Sequence, residues 1–295
     1  MNGFKLRTTM GVAIAAALSI FAGSANAVGL VAINSSNQIG FFDSSNVAGA
    51  VFNTISGDAF GERFIGIDLR PSNNLVYGLT RSNNIYTIDA TTGTSSFVAA
   101  LSNPVITLGN SYGIDFNPVA DRGTGASLRL ISSTGENYAI NATTGAVTVA
   151  TSIAAGFNAV AYTNSDASTP TTAPSSTGLY YINSTNDTLS FAATGFNAPT
   201  ITPVGALGID ILSANGFEIL ANGIGYAAIN VDDGLLQSKL VTINTATGAA
   251  TVVGTFNGTI NGLAIAPVPE PETYAMLVAG LGLVGAASRR RNKKA

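Results

Sequence analysis

The chain has 295 residues and contains no cysteine, histidine or tryptophan. That composition excludes disulfides, thiolate metal sites, cysteine nucleophiles and every triad or metal centre that depends on imidazole. Between Val28 and Ala266 six basic side chains face fourteen acidic ones, a net charge of −8, and so acidic a body lacks the clustered Lys and Arg that nucleic acid requires.

The first 27 residues, MNGFKLRTTMGVAIAAALSIFAGSANA, have the three parts of a secretory signal. Lys5 and Arg7 supply the positive start, Gly11–Ala22 the apolar helix, and Ala25-Asn26-Ala27 the small-x-small cleavage pattern. Cleavage there gives a mature chain that begins at Val28.

The body, residues 28–267, repeats itself. One apolar segment recurs as FIGIDLRP (64–71), SYGIDFNP (111–118), FNAVAYTN (157–164), ALGIDILS (206–213) and INGLAIAP (260–267). Its central residues Ile67, Ile114, Val160, Ile209 and Leu263 are spaced by 47, 46, 49 and 54. A second segment ends in a polar turn: IYTIDATTG (85–93), NYAINATTG (137–145) and LVTINTATG (240–248). Short runs such as LVYGLT (75–80), LRLIS (128–132), LYYIN (179–183) and YAAIN (226–230) lie between them.

Each unit thus offers four short strands with partial period-two alternation, punctuated by Gly, Asn or Pro. Four strands in so few residues is the arithmetic of a β-propeller blade. A parallel β-helix needs shorter rungs, and a β-sandwich leaves five similar units unexplained. The expected fold is therefore all-β, with five four-stranded blades. The first unit (30–56) lacks an opening strand, while the last opening strand, INGLAIAP, has no strands after it. The C-terminal strand should complete the first blade and close the ring, which removes open sheet edges.

The chain ends in residues 268–295, VPEPETYAMLVAGLGLVGAASRRRNKKA. Alternating Pro267, Pro269 and Pro271 keep the approach extended. The apolar run Tyr274–Ala287 is short for a spanning helix, and the basic cluster after it should remain cytoplasmic. Order, spacing and position resemble the PEP-CTERM sorting signal of Gram-negative bacteria, through Pro269-Glu270-Pro271, the hydrophobic run, and Arg289, Arg290 and Arg291. The resemblance implies a transient membrane helix, an exosortase as processing partner, removal of the tail near the Pro-Glu-Pro motif, and residence at the cell surface or in the extracellular matrix of biofilm-forming species. The GID-F/L-x-P and LYxIxxxTG repeats also resemble a domain of unknown function of bacterial exported proteins, the DUF4394 type, over most of residues 30–266. That resemblance implies no biochemical role.

Asp68, Asp115 and Asp210 share one position of the opening segment, where the other two units carry Ala161 and Ala264. If opening strands line the channel, three carboxylates could meet there, binding Ca2+ through oxygen or crowding one another's charge. The plainer expectation, which is preferred, is that each caps a turn or pairs with Arg70 or Arg129. Asp89, Asn141 and Asn244 start the polar turns and read as structural. Asp232-Asp233-Gly234 and Asn164-Ser165-Asp166 do not fit a calcium loop. A serine nucleophile has no histidine to form a triad with, and Lys239 is the only body lysine. No catalytic residue, metal ligand or resident cofactor is assigned. The Ser/Thr/Pro-rich stretch Thr163–Thr177 reads as an exposed loop.

The expected function is a non-catalytic surface propeller that binds or packs against exopolysaccharide or surface proteins. The competing expectation is a secreted enzyme acting on glycans through channel or rim carboxylates. An open acidic cavity would favour the enzyme, and a plugged channel the scaffold.

Overall fold

The structure, a computed structural model, describes residues 27–122, 125, 127–165 and 173–266. The signal segment with Ala25, the sorting segment with Pro269 to Arg291, and residues 166–172 of the Ser/Thr-rich loop lie outside the described residues.

The chain opens with β1 (Gly29–Asn34), β2 (Gln38–Asp43), β3 (Asn53–Thr54) and the short β4 (Ser56–Gly57). The next meander is β5 (Phe64–Arg70), β6 (Leu75–Thr80), β7 (Asn84–Ile88) and β8 (Thr94–Ala100). It is followed by β9 (Tyr112–Phe116), β10 (Leu128–Ser132), β11 (Asn137–Ile140) and β12 (Val147–Val149). Then come β13 (Phe157–Tyr162), β14 (Leu179–Asn183), β15 (Thr188–Ala192) and β16 (Thr202–Ala206). The chain continues through β17 (Ser213–Ile219), β18 (Ile224–Asn230), β19 (Ser238–Asn244) and β20 (Ala250–Thr255), and ends in β21 (Ile260–Ile265). Consecutive strands pair antiparallel within each group, forming blades 2 to 5, and the sheet β21-β1-β2-β3 is blade 1. The protein is a five-bladed propeller of four-stranded sheets.

Closure follows the expected route. β21 pairs antiparallel with β1, placing Leu263 opposite Ala32 and Ile265 opposite Leu30, so the first blade is assembled from both ends of the domain and β1 is paired on both sides. One addition was not expected: β4 lies parallel to the outer edge of β8, with Ser56 opposite Thr94.

The innermost strands follow one another around the axis as β21, β5, β9, β13 and β17. β9 and β13 are buried along their whole length, whereas outer strands such as β8 and β20 expose much of theirs. This is the burial expected of strands covered on both faces against strands wetted on one. Apolar clusters fill the five junctions. Ile33, Ile67 and Val76 join blades 1 and 2, and Leu79, Ile114 and Leu130 join blades 2 and 3. Ile131 and Tyr181 join blades 3 and 4, Ile182 and Phe217 join 4 and 5, and Leu240 and Leu30 join 5 and 1. Each such side chain contributes about 1.5–3 kcal/mol on burial.

The polar turns are structural, and they also couple blades. Asp89 Oδ1 accepts from the amide of Thr91 at 2.7 Å, Asn141 Oδ1 from Thr143 at 3.0 Å, and Asn244 Oδ1 from Ala246 at 2.9 Å. The closing glycines, Gly93, Gly145 and Gly248, have φ of 76°, 73° and 83°. The Gly93 carbonyl accepts from Ser56, and the Gly145 carbonyl from Ser102. These turns therefore abut chain leaving the preceding blade.

Candidate functional site

Five strands make a narrow ring, and the inner strands approach so closely that side chains are missing where they touch. A Cβ on Gly113 would lie 2.7 Å from Ala159 Cα, and one on Gly262 would lie 2.9 Å from the Ile67 amide nitrogen. The aligned positions are Gly66, Gly113, Ala159, Gly216 and Gly262. Two residues further along, on the same face of each strand, stand Asp68, Asp115, Ala161, Glu218 and Ala264.

Three of these five positions therefore carry carboxylates, and the structure brings them together. One oxygen each of Asp68, Asp115 and Glu218 lies within 4.8 Å of the others. The side chains come from blades 2, 3 and 5, and the residues are 3%, 1% and 1% exposed. Ala161 of blade 4 and Ala264 of blade 1 are instead buried in apolar clusters.

Asp210 is not among them. It is exposed in the crossover between β16 and β17, so the expectation that it lines the channel is corrected. The Gly208-Ile209-Asp210 triplet imitates GID at 66–68 and 113–115, but blade 5 begins its inner strand later, at Ser213. The true counterpart is Asn215-Gly216-Phe217-Glu218, whose Asn-Gly-apolar start matches Asn261-Gly262-Leu263 in β21. That likeness was the signal for Glu218 that sequence reasoning missed.

The preferred expectation for the aspartates needs correction as well. Neither pairs with arginine. Arg70 binds Asp121, with Nε at 2.7 Å from Oδ1, and stacks over Tyr77 and Phe116. Arg129 donates to Tyr162 Oη at 3.3 Å, Asn137 Oδ1 at 2.9 Å and Asn197 Oδ1 at 3.0 Å. Among the described residues no ion pair reaches the three acids. The aspartates instead hold backbone. Asp68 accepts from the amides of Leu69 and Phe116, both at 2.6 Å, and Asp115 Oδ1 accepts from Tyr162 at 3.2 Å. Each thereby ties its own blade to the next. Asp115 Oδ2 and Glu218 Oε1 have no hydrogen-bond partner.

Burial pushes all three upward, because water no longer supports the charged form. Asp68 rises from 3.8 to about 7, chiefly through burial and against the pull of the Phe116 amide and other hydrogen bonds. Asp115 and Glu218 rise well above the ordinary carboxylate range, first through burial and then through repulsion by Asp68. Three buried acids of this kind share protons or hold a cation; they do not all stay ionised alone.

Access is narrow. A polar mouth of about 210 Å³ is lined by Arg81, Asn110, Tyr112, Asn215 and Asn261. Below it, between the glycine-bearing segments, lies a cavity of about 10 Å³, the size of one water. The carboxylates lie two residues further along the strands. Elsewhere, Lys239 is held by Asp233 at 2.8 Å. A separate apolar groove of about 850 Å³ runs beside Phe41, Leu75, Thr87 and Asp89, between blades 1 and 2.

The family model for a domain of unknown function, DUF4394, matches residues 38–264, and that for the PEP-CTERM protein-sorting motif matches residues 267–291. No curated protein matches the chain. Among solved structures, the chain is similar to the calcium-binding protein regucalcin from Agrobacterium tumefaciens, at 13% identity and TM-score 0.43, covering 82% of this chain and 78% of that one. It is also similar to a provisionally assigned 6-phosphogluconolactonase from Bacteroides uniformis, at 8% identity and TM-score 0.41, covering 78% and 82%. At such low identity nothing about what those proteins bind or act on passes to this chain.

Proposed function

Since the chain belongs to the DUF4394 family, a domain of unknown function, and ends in a PEP-CTERM sorting motif, we propose that it is a non-catalytic binding propeller of the cell surface or extracellular matrix. The motif marks it as an exported protein sorted to the cell surface by an exosortase-type enzyme. The apolar run 274–287 holds it transiently in the inner membrane until the tail is removed, and exopolysaccharide is the partner outside.

One observation carries the non-catalytic role. The convergent carboxylates are 1–3% exposed and line neither axial cavity, the nearer of which measures about 10 Å³, whereas small-molecule sites usually measure about 300–1,000 Å³. A sugar ring does not reach them. The groove beside Phe41 is large enough for a glycan, and it combines half-exposed Phe41 and Leu75 with Thr87 and Asp89. Such a lining offers apolar faces for sugar rings and polar groups for hydroxyls.

The experiment incubates the exported protein with exopolysaccharide from the producing cells, measuring retention and the release of new chain ends. Retention without release is expected, weakened about tenfold by Phe41→Ala. Release of chain ends that stops in Asp115→Asn would establish the enzyme instead. For the sorting half, the protein's mass is compared with and without the exosortase. Loss of the segment beyond Pro271 only when the enzyme is present is the expected result, and an intact tail in both samples would overturn it.

A further inference from the structure

We propose that Asp68, Asp115 and Glu218 form a buried Ca2+ site on the propeller axis that ties blades 2, 3 and 5 together. Three independent features of the molecule converge on it.

The first is the donor set. Carboxylate oxygens are hard ligands, suited to Ca2+ and unsuited to softer metals. Ca2+ holds oxygens at about 2.3–2.6 Å, so ligands on opposite sides of it stand about 5 Å apart. Oxygens within 4.8 Å of one another fit around a single ion. Bidentate carboxylates and water can complete its coordination.

The second is the state of the oxygens. Asp115 Oδ2 and Glu218 Oε1 lie without partners in side chains that are 1% exposed. A buried carboxylate oxygen without a donor costs about 1–3 kcal/mol or more, and here two such oxygens belong to side chains facing Asp68. Among the described residues no cation pairs with the acids: Arg70 is committed to Asp121, and Arg129 to Tyr162, Asn137 and Asn197. Asp121 adds further negative potential at Asp68. A divalent ion would offset two of the three negative charges and occupy the unpartnered oxygens.

The third is the path. The polar mouth and the water-sized cavity share Ile65, Tyr112, Asn215 and Asn261, which places them in series along the axis. The inner cavity ends at the glycine-bearing segments, two residues short of Asp68, Asp115 and Glu218, and has room for one water or a bare ion. The cell surface is also where Ca2+ sites of modest affinity, with Kd near 10⁻⁴–10⁻³ M, are occupied as a matter of course (about the range of extracellular modules).

The site stands apart from any glycan binding, and its test uses the metal alone. The protein recovered from the cell surface is assayed for bound metal, stripped with chelator, and titrated with CaCl2 by calorimetry. About one Ca2+ per chain is expected. Tm should rise by about 5–10 °C when free Ca2+ stands a hundredfold above Kd. Asp115→Asn and Glu218→Gln should each weaken binding at least tenfold, while Asp210→Asn should leave it unchanged. As a readout that needs no variant, Tb3+ should show luminescence sensitised by tyrosine that Ca2+ displaces, since the chain has no tryptophan. Equal Tm in Ca2+ and in chelator, with no heat of binding and no Tb3+ signal, would overturn the site and leave protons holding the cluster. Ca2+ binding that survives both variants would overturn it too, placing the ion elsewhere, such as the Asp232–Asp233 turn.

Discussion

Blades 3 and 5 present acids at the same point of the ring, yet the two acids do different things. Asp115 is short and reaches sideways, accepting the Tyr162 amide of the next blade at 3.2 Å. Glu218 is one methylene longer and points at its fellow acids, with Oε1 unpartnered. Asp68 in blade 2 behaves like Asp115, taking the Phe116 amide of blade 3 at 2.6 Å. The two aspartates therefore hold backbone without any ligand, whereas the glutamate meets only a fellow acid, sharing a hydrogen bond with Asp68. A repeat position can keep its charge while its role divides between stitching the ring and serving its centre.

The largest disruption should come from the ring itself. Gly113→Val drives a side chain into the Ala159 backbone, and overpacking there should cost about 3 kcal/mol or more, read as a lowered urea midpoint or loss of a cooperative transition. Next, Asp68→Ala strands the amides of Leu69 and Phe116, each costing about 1–3 kcal/mol when buried without an acceptor. A net loss of about 2–4 kcal/mol is expected. Asp115→Ala strands one amide and should cost about 1–2 kcal/mol on the same grounds. Glu218→Met removes a carboxylate that holds no backbone, so in chelator stability should change by less than about 1 kcal/mol or improve. A Glu218→Met loss as large as that of Asp68→Ala would erase the distinction between the two blades.

A pH series in chelator sharpens the same comparison. The raised acids bind more protons folded than unfolded, so the stability they contribute is complete below pH 4 and is lost as pH climbs toward and past 7. Asp89 works oppositely, since hydrogen bonds from Thr91 hold its carboxyl below 3.8, and its contribution fades only as pH falls through that lower range. Tm measured from pH 4 to 8.5 should decline, and the decline should shrink in Glu218→Met. A flat or rising profile in the unsubstituted protein would contradict burial of uncompensated acids.

Much of this architecture is written locally. Alternation in Leu75–Thr80 or Asn84–Ile88 and the Asp89 and Asn141 turns each act over a few residues, so blade type and number could be counted along the chain. Closure could also be inferred, because an unpaired opening strand at 260–265 had one place to go. Asp68 and Asp115 were legible as a repeated position. Glu218 was not, because Gly208-Ile209-Asp210 copies the motif while lying in a crossover. Only the pairing of β17 with β18, where Glu218 stands opposite Tyr226, decides which residues form the inner strand.

By itself the sequence determined the strands, the turns, the acidic body and the terminal address, all properties of neighbouring residues and of composition. Only the tertiary structure decided that acids 47 and 103 residues apart meet at one axis, buried and, among the described residues, without a lysine or arginine paired to them. Pairing and burial are set by the whole ring at once, and a carboxylate's energy depends on what surrounds it rather than on what precedes it in the chain.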